Sequence, residues 1–178
     1  MAEAVRLVDE VGPQRLTLAA LAQRFGVALP SLYKHVAGLD DLHGRLAVVA
    51  VRDLGDTLRR AATGKAGADA TTAVAAAYRR YARDHPGCYG YLLRPRPGDE
   101  EHARVSGEIL AVLYDVLSGY GVTREADAVD AARFLRSALH GWVALETGEG
   151  FAMARSVDRS FDRLVDALDN ALAGWQDG

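Results

Sequence analysis

Apolar residues recur three and four positions apart along most of this sequence, and alternation of period two over the length of a strand is hard to find. That spacing gathers them on one side of a helix and leaves little from which to build a sheet. Glycine and proline cut the pattern at short intervals near the start. Val5, Val8 and Val11 form a stripe ended by Gly12-Pro13; Leu18, Leu21, Ala22 and Phe25 one closed by Gly26; Leu29, Leu32 and Val36 one closed by Gly38. Leu42, Leu46, Val49 and Leu54 open a longer helix from about Leu39 to Ala62, followed by the break Gly64-Lys65-Ala66-Gly67. Thr71 to Asp84 reads as a helix stopped by His85-Pro86-Gly87. Cys88 to Leu93 is a short apolar piece before the breakers Pro95-Arg96-Pro97-Gly98. Asp99 and Glu100 suit the first turn of a helix carrying Val105, Ile109, Val112, Leu113 and Val116 as far as Gly119-Tyr120-Gly121. Thr123 is placed to cap the next helix, and a last one follows Gly148-Glu149-Gly150. The expectation is an all-α protein of about nine helices, three short ones first: a helix-turn-helix unit over 1–46 and a larger helical bundle over 47–178.

Composition narrows the function. At 49% hydrophobic over 178 residues the chain has enough apolar side chain for a real core. One cysteine, Cys88, excludes an intrachain disulfide framework and a cysteine-rich zinc module. No apolar run approaches the roughly 20 residues of a membrane helix, and the opening residues carry acid without an apolar block, unlike a secretory signal. A cytoplasmic protein without membrane contact is expected. The net charge of −3 argues against nonspecific coating of nucleic acid, though not against a small DNA-reading unit on an acidic body.

The segment from Thr17 to Val36 carries the strongest signal. A helix-turn-helix needs a small residue where its two helices cross, a turn residue tolerant of positive φ, and a buried aliphatic in the second helix. Ala22, Gly26 and Leu32 fill those places. Thr17 can cap the first helix and leave its end amides free for a phosphate, and Pro30 falls in the first turn of the second helix, where a missing N–H costs little. With Leu29, Leu32 and Val36 turned inward, the opposite side shows Ser31, Lys34 and His35, flanked by Tyr33, which suits phosphates and base edges. From Met1 to Leu46 five cations face five anions, so the affinity is expected to lean on dipoles, hydrogen bonds and a second copy.

Leu21-Ala22-Gln23-Arg24-Phe25-Gly26-Val27, followed by Pro30-Ser31-Leu32-Tyr33-Lys34-His35-Val36, resembles the TetR family of bacterial transcriptional regulators, with Leu32-Tyr33 and His35 as the most specific part. Val8-Asp9-Glu10-Val11-Gly12 is similar to the end of that family's first helix. Arg136 to Val143, with Leu145-Glu146, further resembles a C-terminal subclass with a Trp-His-Gly type signature. The resemblance implies a DNA-binding repressor, a homodimer on double-stranded operator DNA, released by a small-molecule effector of unknown identity. It implies that Thr17, Tyr33 and Lys34 hold phosphates while Leu29, Pro30, Ser31 and His35 face the groove. Two positions depart from the pattern: Leu39 stands where the family usually has a lysine before Asp40-Asp41, and the residues ahead of the first helix supply no basic arm.

In the larger unit, Tyr78, Tyr81, His85, Tyr89, Tyr91 and His102 concentrate among helix breakers. That pattern fits an effector pocket or a loosely packed helix corner with wet hydroxyls. Trp142 and Glu146 could reach the same space, or Glu146 could pair with an arginine at a rim. Leu135, Leu139, Phe161, Leu164, Leu168 and Leu172 offer more apolar surface than a thin bundle needs and are expected at a two-fold four-helix interface, unless they are intrachain core. No phosphate-cradling loop, nucleophile elbow, cofactor motif or paired metal ligands are found, so catalysis is a weak reading. A helical module that binds protein rather than DNA is the other alternative.

Overall fold

In the computed structural model, residues 1–92 and 96–175 are described; Leu93 and Pro95 from the expected apolar piece and breaker cluster lie outside them. The described residues form nine helices and no strands. These are α1 (Ala2–Val11), α2 (Leu18–Phe25), α3 (Leu29–Leu32), α4 (Leu39–Ala62), α5 (Gly67–Asp84), α6 (Pro86–Tyr89), α7 (Glu100–Ser118), α8 (Glu125–Thr147) and α9 (Val157–Ala173). None is long and apolar enough to cross a membrane.

Local chemistry accounts for most boundaries. The Thr17 hydroxyl accepts from the Ala20 amide at 3.0 Å, Asp99 accepts from the His102 amide at 2.9 Å, and Ser156 accepts from the Arg159 amide at 3.2 Å, so three helices start on capping oxygens. α2 ends where Gly26 turns left-handed, φ 66° and ψ 30°, and a side chain there would pay for that backbone rather than for lack of space. Thr123 caps nothing: α8 starts one residue later, after Arg124, which provides no side-chain cap. α5 starts at Gly67, ahead of the expected Thr71. α3 is a single α-turn instead of a helix reaching Val36. Ala28 ahead of it offers no capping oxygen, and Lys34 and His35 bond back to Ser31 and Leu32 in tight i→i+3 turns. Leu32 and Val36 are buried as expected, but Leu29 is 37% exposed and Phe25, expected on the inner side of α2, is 44% exposed.

Two buried clusters divide within α4. The first joins Leu7, Val8, Leu21, Ala22, Leu32 and Val36 to Leu42, Leu46 and Ala50; the second takes Leu54 and Leu58 into a core with α5, α7, α8 and α9. Cys88 and Tyr91, from α6 and the residue pair after it, belong to the first cluster, so the larger unit reaches across to the smaller one.

Five of the six apolar residues expected at a subunit interface are core instead. Leu135, Leu139, Phe161, Leu168 and Leu172 are 0–4% exposed within their own chain, and Leu164 is partly buried against them. The bundle is thicker than the sequence suggested: α9 packs on α5 as well as on α8, and this extra layer absorbs those side chains.

Candidate nucleic-acid interface and ligand chamber

Across the Gly26 turn, buried Ala22 on α2 and buried Leu32 on α3 hold the two short helices together. What this leaves outside is the polar side expected from sequence. Thr17, Leu29, Pro30, Ser31, Lys34 and His35 are exposed, and Tyr33 is 56% exposed, packed under nothing. The even charge count of the first 46 residues is sorted in space. Arg6 pairs with Glu3, Arg24 with Glu10, and Arg45 with Asp41, while Asp9 turns toward α6. Lys34 makes no ion pair among the described residues, so the outer side of the α3 segment keeps a free cation for a phosphate.

The aromatic and histidine stretch separates into two sets. Tyr78 and His102 line a chamber of about 300 Å³ between α4, α5, α7 and α8. Its remaining lining includes Leu54, Ser106, Ile109, Leu113, Arg136 and Leu139, none of which sequence reasoning assigned to it. Their signal was available in part: on α7, Ser106, Ile109 and Leu113 lie three and four apart, on the same side as His102. Gly55 on α4 lets Ile109 approach, since a Cβ there would stand 3.2 Å from its side chain. The Nε2 of His102 is buried and has no hydrogen-bond partner among the described residues.

Three of the other four, Tyr81, His85 and Tyr91, fasten the junction between the two units. Tyr81 donates to the Ala50 carbonyl of α4 at 3.0 Å, and burial pushes its phenol well above the usual tyrosine range. His85 Nδ1 lies 3.0 Å from the Asp9 carboxylate of α1, whose other oxygen accepts from the Cys88 amide at 2.8 Å. Tyr91 meets Nδ1 of His43 on α4. Gly87 sits so tightly on α1 that a Cβ would fall 1.9 Å from the Val8 carbonyl oxygen. Tyr89 faces the larger unit: its hydroxyl bonds Nδ1 of His140 and lies 3.1 Å from that of Tyr78, and burial raises its phenol while lowering the His140 imidazole. Burial likewise pushes the Cys88 thiol up to about 12, so it stays protonated and a poor nucleophile. Through α6, then, the chamber wall at Tyr78 and Leu92 is tied to α1 and α4.

Trp142 and Glu146 do not reach the chamber. Trp142 packs between Phe151 and Phe161, with ring centroids 4.6 and 5.5 Å away. Glu146 is gripped by both arms of Arg79, at 2.7 and 2.5 Å, and this pairing holds its carboxyl below the usual range. Arg79 also bonds Asp158 at 2.7 Å and lies over the Phe161 ring. The cluster locks α5 to α8 and α9, which is the rim-pair reading of Glu146.

Residues 71–168 match the family model described as tetracyclin repressor-like, C-terminal domain. The chain belongs to the TetR family of transcriptional regulators. Over 148 residues it is 34% identical to the helix-turn-helix-type regulator YobS of Bacillus subtilis, covering 83% of this chain and 77% of that one. Over 145 residues it is 40% identical to a helix-turn-helix-type transcriptional regulator of Mycobacterium tuberculosis, covering 80% of this chain and 66% of that relative's length. A Rhodococcus protein of unknown function shares the fold, with a TM-score of 0.81 over 97% of this chain and 92% of that one, at 21% identity. TetR-type regulators pair a DNA-reading unit with a helical one, and the nine helices among the described residues fit that architecture.

Proposed function

We propose that this chain reads duplex operator DNA as a symmetric pair and loses that affinity when a small molecule occupies the chamber behind Tyr78 and His102. Residues 1–46 are the reading unit; residues 47–178 pair the subunits and hold the effector. The observation that carries the reading is the free outer side of the α3 segment, where Leu29, Pro30, Ser31 and His35 can meet a major groove while Thr17, Tyr33 and Lys34 hold phosphates. The positive dipole end of α2, which starts beside exposed Thr17, favours an anion for the same reason.

Pairing of subunits is supported by what remains outside the core on α8 and α9. Phe134, Ala138, Gly141 and Leu145 follow one another at helical spacing, with Phe134 37% and Leu145 53% exposed; Leu164, Ala167 and Ala171 do the same on α9. Small residues between large apolar ones let two helices from each subunit approach closely. Two-fold pairing then sets the two α3 segments about one DNA turn apart, roughly 34–36 Å, as successive major grooves require.

Release follows from linkage. An effector that binds the conformation with mis-spaced α3 segments better than the DNA-bound one weakens DNA binding by that differential affinity, typically about 1–3 kcal/mol. α4 is the lever, since its first half packs in the smaller core and its second half lines the chamber. α6 is the fastener that carries movement of the chamber wall to α1. Titration of duplex DNA tests the reading unit. Tyr33→Ala should abolish specific affinity and leave pairing and thermal stability unchanged; an unaltered titration would remove the assigned face.

A further inference from the structure

The chamber's lining is apolar apart from Tyr78, His102, Ser106 and Arg136, and the permanent charge among these, on Arg136, is positive. Leu54, Leu58, Val74, Ile109 and Leu113 supply hydrocarbon surface; no Asp or Glu lines it among the described residues. The Tyr78 hydroxyl is taken by Tyr89. His102 Nε2 is buried and unbonded among the described residues, an arrangement that costs stability until a partner arrives. Arg136 lines the same chamber from α8, is exposed, and enters no ion pair among the described residues; its charge reaches Tyr78. A permanent cation without a neighbouring carboxylate, beside a buried nitrogen able to donate, complements an anionic oxygen. The volume, about 300 Å³, equals the liquid share of about ten water molecules.

We propose that the chamber takes a small apolar carboxylic acid of about ten non-hydrogen atoms, its chain among Leu54, Ile109 and Leu113 and its carboxylate held by Arg136 and His102. This rests on the reading of the chamber as the effector site and adds the effector's chemical class.

Three probes of equal length separate the possibilities: sodium octanoate, 1-octanol and octylamine, titrated calorimetrically into the full chain. Octanoate should bind once per chain and about tenfold or more tighter than octanol, with octylamine weakest. Arg136→Gln, at an exposed position, should keep the wild-type melting temperature and bring octanoate down to the affinity of octanol. Leu110→Trp, on the partly exposed wall of the chamber, should weaken acid and alcohol together. Equal affinities for octanoate and octanol, no binding of octanoate, or an acid preference that survives Arg136→Gln would each overturn the proposal. Release of duplex DNA is read separately. Arg136-dependent octanoate binding that leaves DNA affinity intact keeps the acid site and removes the effector reading. Release by octanol as strong as by octanoate keeps the effector reading and overturns the acid.

Discussion

Replacing Gly87 by alanine is the sharpest test of the contact between α6 and α1. The added Cβ would stand 1.9 Å from the Val8 carbonyl oxygen, 2.3 Å from its carbonyl carbon and 2.7 Å from the Asp9 Cα. Ordinary contact begins at 3.4 Å, so the two helices must separate by about 1.5 Å. All three opposing atoms are backbone, in the last turn of a helix whose Val8 is fully buried, and no rotamer change can relieve the clash. A shift of that size also stretches the 2.8 Å bond from the Cys88 amide to Asp9 past hydrogen-bonding distance. Overpacking costs about 1–3 kcal/mol, and loss of a hydrogen bond to a charged group costs a similar amount. Against this, alanine favours helix over glycine by up to about 1 kcal/mol, and Gly87 has no positive φ to lose. The net expectation is a destabilisation of about 3 kcal/mol, or a melting temperature lower by roughly 6–12 °C. Thermal unfolding followed by circular dichroism reads this directly. Because propensity alone predicts the opposite sign, a variant as stable as the wild type, or more so, would refute the close approach.

Two further outcomes follow from the same structure. Glu146 has its carboxyl held low by Arg79, so its contribution is present above the ordinary carboxylate value of 4.5 and is lost as pH falls through the depressed one. Glu146→Gln should therefore lower the melting temperature at neutral pH, by about 2–3 kcal/mol in stability, and flatten its decline below pH 4.5; parallel acid profiles for variant and wild type would contradict the Arg79 pairing. Leu145→Glu, on the exposed side of α8, should leave the fold intact and convert a sedimenting dimer to a monomer at micromolar concentration, whereas a persistent dimer would place the subunit contact elsewhere.

The helical architecture and the helix-turn-helix could be read from the sequence because they rest on local rules. The apolar period, the Gly26 turn and the Thr17 cap depend on residues close in the chain, and α4 begins and ends where its periodicity said. Which apolar residues face a neighbour in the same chain, and which face outward, depends on how many helices crowd each one. That is why Leu135 and Leu168 went to the core while Phe134 and Leu145, on the same helices or beside them, stayed outside. Buried hydroxyls in the tyrosine-rich stretch need partners. Those partners, Ala50, Asp9 and His43, lie 31 to 76 residues away from Tyr81, His85 and Tyr91, a separation that no periodicity reveals. The short α3 reflects competition within one turn, where a missing cap and the tight i→i+3 bonds of Lys34 and His35 outweigh the apolar stripe.

Selection of bound duplexes from a random library addresses the reading of DNA by a symmetric pair most directly. Enrichment of an inverted repeat whose half-sites lie one helical turn apart, roughly 34–36 Å between centres, is the expected result, and Tyr33→Ala should enrich nothing. A single unrepeated site, or a wild-type pool that stays random, would contradict it.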